Sequence, residues 1–195
     1  MSVILDLIGS VVIGAFVIVM GLQLNQNIAG SSDATRANLV VQESIVDIVR
    51  SIESDFRKIG YGLTDPKLCI AVMQSSHIRF RGDIDNDGTI DSVDWFIGAP
   101  LAGRENQDIR VLYRQVNGET PVGTSLGVTQ FSLNYLTDNG KVAVVPSQVS
   151  IIETTLRLES PYKVSDQIKG YEEMDFANGF WRQTRLASRN IRRHG

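Results

Sequence analysis

Residues 3–22 read VILDLIGSVVIGAFVIVMGL, apolar on every side of a helix with Asp6 as the single charge. About twenty such residues match the length of a helix that crosses a hydrocarbon core. A buried core helix of a soluble protein seldom runs so far without polar interruption. A cleavable secretory signal fits badly, because the first Lys or Arg is Arg36 and the apolar run outlasts an h-region. The pattern predicts a retained membrane-spanning helix. Residues 23–35 are polar, with Gly30, Ser31 and Ser32 in their middle; they either end the helix or loosen it between two helical parts. Beyond them Val41, Ile45, Ile48, Ile52, Phe56 and Ile59 recur at three- and four-residue steps with charges between. That spacing predicts an amphipathic helix, stopped by Gly60 and Gly62. Unbroken to Gly60, the helix would be roughly 85 Å long.

After Tyr61 the period changes. HIRFRGDI, IDSVDWFIG, DIRVLYRQV, GVTQFSLNYLT and QVSIIETTLRLES alternate or are rich in β-branched and aromatic residues. Asn86-Asp87-Gly88, Asn117-Gly118-Glu119 and Asp138-Asn139-Gly140 separate them as turns. Neighbouring strands joined by short turns predict an antiparallel sheet whose one face covers the apolar stripe of the helix, an α+β fold. The chain divides into residues 1–30, the membrane half of the helix; 31–62, its amphipathic half; and 63–195, an antiparallel β-sheet head. Residues 163–179 are polar and read as a surface loop before a last strand.

Composition narrows the function classes. The 195 residues are 43% hydrophobic and 21% charged, with a net charge of −3, which excludes a disordered chain and argues against neutralisation of nucleic-acid phosphates. Cys69 is the single cysteine, so no internal disulfide forms, and with only His77 and His194 beside it no classical zinc site is available. Cys69 reads as a small buried hydrophobe, and Trp95 and Trp181 as core or interface anchors.

Residues 83–94, DIDNDGTIDSVD, follow the spacing of a twelve-residue calcium loop. Asp83, Asp85 and Asp87 stand at positions one, three and five, Gly88 at six, Asp91 at nine and Asp94 at twelve, with Thr89 offering its carbonyl. Oxygen ligands at alternate positions suit a hard cation such as Ca2+. Asp in place of Glu at the last position weakens affinity, and the flanks read as strands where an EF-hand has helices. The alternative is an acidic β-hairpin with no ion. GTSLG, residues 123–127, matches a nucleophile elbow in letters, yet a strand pattern follows where that motif needs a helix. With no nucleophile and base pairing in view, the chain does not read as an enzyme. From Trp181 onward five arginines and no acid form a basic end, either a solvated strand or a partner for the acidic face of another copy. Asp6 either lies in the headgroups at the helix start or meets an α-amino group, its own or that of an axially shifted neighbour.

In order and spacing these blocks resemble the type IV pilin and pseudopilin superfamily, in its minor-pilin-like branch. The resemblance rests on the apolar start with an acid near residue five, on SDFRKIGYG closing the helix, and on IRFRGDIDNDGTIDSVDWFIG. It continues in LYRQVNGETP, GVTQFSLNYLTDNG and the ending FWRQTRLASRNIRR. Family precursors carry a basic leader and a glutamate fifth in the mature chain; here the acid is Asp6, which falls fifth if Met1 is removed. The resemblance implies that Asp6 sets subunit register by meeting the next subunit's N-terminal amine. It also implies self-association into a helical filament at the cell surface, reached from the inner membrane through a filament assembly machinery. In such a bundle Gly9, Gly14 and Gly21 would let helices approach closely. Two further readings stand beside it: a minor pseudopilin of a type II secretion system, and a membrane-anchored calcium-binding domain.

Overall fold

The computed structural model describes residues 2–165, 174–186 and 190. One helix, α1 (Ser2–Arg57), precedes eight strands: β1 (Ile70–Met73), β2 (His77–Gly82), β3 (Asp91–Pro100), β4 (Arg110–Val116), β5 (Val122–Gly123), β6 (Gly127–Leu136), β7 (Ile151–Ser165) and β8 (Met174–Leu186). The strands form one antiparallel sheet in the order β1-β2-β3-β4-β6-β7-β8, with β5 pairing β4. The architecture is α+β, an apolar N-terminal helix continued into a sheet-covered half.

The polar stretch does not end the helix, which runs unbroken through Gly30. Its second half lies across the sheet because its apolar stripe has nowhere else to go. Val41, Ile45, Ile52 and Phe56 are buried there, with Ala37, Ile48 and Val49 packed beside them. Burying each large side chain contributes about 1.5–3 kcal/mol relative to leaving it in water. Alternate positions of the strands supply the other wall: Ile78 and Phe80 on β2, Val93 and Trp95 on β3, Leu156 and Leu158 on β7. The rings of Phe56 and Phe80 meet edge to face at 5.7 Å. Past Arg57 the chain leaves the helix through Gly60 (φ 75°) and Gly62 (φ 78°), left-handed positions that glycine takes without strain. Gly82 is required for a different reason, since a Cβ there would stand 2.2 Å from the Lys58 carbonyl oxygen.

A buried carboxylate fixes the helix on the sheet. Asp55, 6% exposed, accepts a two-pronged contact from Arg114 of β4, Nε at 2.7 Å and a terminal nitrogen at 3.0 Å, and the Trp95 indole N–H at 2.8 Å. The contact raises the Arg114 pKa, chiefly through the Asp55 hydrogen bonds against the opposing effect of burial. Two carboxylate oxygens, a planar fork and an indole admit one rotational and axial setting of α1.

The sheet is least regular at its middle. β4 and β6 share a single register pair, Arg110 with Val128, and the β1–β2 turn bridges across to β6. There Leu133 N donates to the Ser75 carbonyl at 2.8 Å and the Tyr135 hydroxyl to the Gln74 carbonyl at 2.8 Å. Burial pushes the Tyr135 phenol well above its usual range. Three features differ from the sequence expectation. The short strands β1 and β5 have no counterpart in it, and the expected loop over 163–179 is partly strand, since Lys163, Val164 and Ser165 pair with Phe176, Asp175 and Met174.

Two core residues yield predictions. Thr154 is fully buried, and its hydroxyl has no hydrogen-bond partner among the described residues. Thr154→Val removes that unpaired group at nearly constant volume and should stabilise the chain by about 1 kcal/mol in denaturant unfolding. Cys69 is buried, and desolvation pushes its thiol from the ordinary 9.0 up to about 11. The folded state therefore holds the thiol proton more tightly than the unfolded state. That contribution is complete below pH 9.0 and is lost as pH rises toward 11. Alkylation of the folded chain at pH 8, an ordinary assay value of about that size for thiol chemistry, should be far slower than in denaturant.

Candidate metal site and assembly helix

The loop between β2 and β3 is built by its own aspartates. Asn86 (φ 65°) and Gly88 (φ 87°) turn the backbone through the left-handed region, which folds the amides of the loop inward onto carboxylates. Asp83 accepts Asp87 N at 3.2 Å and Gly88 N at 3.0 Å, one on each oxygen. Asp85 also accepts Asp87 N, at 3.2 Å, and Asp87 accepts Thr89 N at 2.6 Å. Asp91, at the start of β3, accepts Ile84 N at 3.1 Å. Lys58, just past the helix, donates to the Ile84 carbonyl and ties the loop to the helix exit.

Three of the expected ligands come together. Carboxylate oxygens of Asp83, Asp85 and Asp91 all lie within 4.8 Å of one another and could hold a metal ion. Asp83 and Asp91 are 6% and 7% exposed, while Asp85 faces solvent. No Lys or Arg forms a salt bridge with any of the three among the described residues. Like charges so close, two of them out of water, repel one another, and a bound cation relieves that repulsion. An all-carboxylate donor set suits a hard cation and lacks the nitrogen or sulfur that zinc prefers.

The other expected ligands are placed elsewhere. Asp87 turns an oxygen to Thr89, and Thr89 enters the loop through its amide. Asp94, 4% exposed, sits on β3 opposite Arg79 of β2. Its carboxylate takes Arg79 Nε on both oxygens, at 2.8 and 2.9 Å, and lies 2.8 Å from His77 Nε2. It is therefore a cross-strand ion-pair residue, outside the three-carboxylate cluster. Sequence reasoning also missed Asn117, whose side-chain amide donates to Asp91 at 2.7 Å while its oxygen accepts Ser92 N at 2.9 Å. Only its place in an Asn-Gly turn was visible beforehand, and an Asn with φ 52° is ordinary in such a turn.

Ser125 of GTSLG is exposed between β5 and β6, with strand β6 beginning at Gly127 and no helix after it. Of the basic end, Arg189, Arg192 and Arg193 lie outside the described residues, as does His194.

The first half of α1 is a separate feature. Asp6–Asn25, 20 residues, is long and apolar enough to cross a membrane, and none of it is buried against the rest of the chain. Asp6 lies at its start and is exposed. At Gly9, Gly14 and Gly21 an added Cβ would meet nothing within 4 Å. Nothing in the chain's own fold needs these glycines, although each weakens an isolated helix by about 1 kcal/mol relative to Ala. Comparison with protein-family models, curated proteins and solved structures finds no match.

Proposed function

We propose that this chain is a structural subunit of an extracellular type IV pilus-like filament, assembled through its N-terminal helix and acting without catalysis. The observation that carries this reading is a continuous helix of two unlike halves. Residues 37–56 are packed under the sheet, while Asp6–Asn25 is apolar all round and unburied. A bilayer receives such a segment before assembly, and a bundle of identical segments receives it afterwards, at about 0.8 kcal/mol per methylene relative to water. In that bundle Gly9, Gly14 and Gly21 are places of close helix approach, and Asp6 is the group that meets a neighbour's terminal amine. Shearing the surface of cells that make the protein, followed by mass spectrometry of the filament fraction, tests the reading. This chain should dominate that fraction, and its confinement to the membrane fraction would reject the reading.

The carboxylate cluster favours a second role within the same subunit, binding of Ca2+ by Asp83, Asp85 and Asp91. Calcium should raise the thermal midpoint of the full chain in detergent, and a chelator should reverse the rise. Asp83→Asn with Asp91→Asn should abolish the response, while Asp94→Asn should leave it in place. An equal loss in Asp94→Asn would assign the ion elsewhere.

A further inference from the structure

Four residues precede a glycine with a side chain able to close a five-membered imide on its backbone nitrogen: Asp87, Asn117, Asn139 and Asn178. The fold treats them differently. Gly88 N is held by an oxygen of Asp83, which is itself buried, and Asp87 is held by Thr89 N. The Asn117 carboxamide is engaged at both ends, by Asp91 and by Ser92 N. Asn178 and Gly179 lie in the β7–β8 ladder, opposite Glu159 and Leu158, and Gly179 is pressed against the helix, where a Cβ would stand 3.1 Å from Val41.

The Asn139 side chain has none of these restraints, and the one bond on the Gly140 nitrogen goes to a surface turn carbonyl rather than to a buried carboxylate. Asn139 lies in an exposed turn between β6 and residues 141–145, of which Val142 and Val144 are themselves 76% and 79% exposed. Its carboxamide has no hydrogen-bond partner among the described residues. The turn is closed by Gly140 N donating to the Thr137 carbonyl at 2.9 Å and Thr137 N to the Lys141 carbonyl at 2.8 Å, surface bonds that open without disturbing the core.

We propose that Asn139 is a site of spontaneous deamidation, with water as co-reactant, and that the fold shields Asn117 and Asn178 from deamidation and Asp87 from the corresponding imide closure. When the turn opens, the Gly140 nitrogen attacks Asn139 Cγ and forms a C–N bond. The Gly140 amide proton passes through water to the carboxamide nitrogen, the Cγ–Nδ2 bond breaks, and ammonia leaves. Water then opens the imide at either carbonyl, giving aspartate or isoaspartate at position 139. Each route adds one negative charge beside Asp138. The isoaspartate route also inserts a methylene into the backbone of a tight turn that passes through the left-handed Gly140 (φ 76°).

The test is timed peptide mapping of the full chain in detergent at mildly alkaline pH, folded and in denaturant, with isoaspartate read by enzymatic methylation. In the folded chain Asn139 should convert about tenfold faster than Asn117 or Asn178, or more, because each restraint must open before attack. In denaturant the three asparagines should converge. Asp91→Ala, which removes the partner of the Asn117 side-chain NH2 and leaves the Ser92 N bond to its oxygen, should speed conversion at Asn117 while circular dichroism stays unchanged. Comparable rates at Asn117 and Asn139 in the folded chain, or protection of Asn139 relative to denaturant as strong as that of Asn117, would overturn the proposal.

Discussion

Asp55→Ala should destabilise the folded head by about 3 kcal/mol, the low end of the range for removing one partner of a buried ion pair, because the Arg114 left behind is 34% exposed. The substitution strips the Arg114 fork and the Trp95 indole of their acceptor at once. Denaturant unfolding of the full chain in detergent reads the effect as a lower midpoint with the slope unchanged. Removing both charges with Asp55→Ala and Arg114→Leu should cost less than the sum of the single changes, since no uncompensated charge remains. A loss under about 1 kcal/mol in Asp55→Ala would mean that apolar packing alone seats the helix.

The second large effect concerns the other end of α1. Deleting residues 1–34 should convert the protein from one that partitions into membranes or detergent into a soluble monomer. Among the described residues the first helix positions packed on the sheet are Ala37 and Val41, so the deletion removes no core contact described there and should change the unfolding free energy of the head by no more than about 0.5 kcal/mol. Sedimentation and denaturant unfolding of the fragment check both halves of this statement. A fragment that aggregates or fails to fold would show that the N-terminal half contributes to the head itself, contrary to the division of labour along α1.

How much of this was legible beforehand depended on the range of the signal. The apolar run of residues 3–22, the stripe from Val41 to Phe56 and the Asn-Gly and Asp-Gly turns are local patterns, and the helix and most strands followed from them. β1 was missed because four residues, Ile70–Met73, carry too little alternation to stand out. The Asp55–Arg114 contact joins residues 59 apart in sequence, and no local pattern reports such a pairing. The calcium spacing misled at its last position for a geometric reason. In an EF-hand a helix returns the twelfth residue to the ion, whereas here a strand carries Asp94 away. Asp91 and Asp94 differ by three along β3, so they face opposite sides of the sheet, about 10 Å apart along the strand. Asp91 stays with the loop, and Asp94 meets Arg79 and His77.

The two halves of α1 are the centre of the account, and the filament reading depends on what covers the first. Electron cryo-microscopy of filaments sheared from the cell surface tests this most directly. The account predicts that residues 6–25 of neighbouring copies bundle along the filament axis, with the sheet heads outside and Asp6 beside a neighbour's terminal amine. Filaments in which these residues face solvent, or in which this chain is absent while it remains in the membrane, would contradict it.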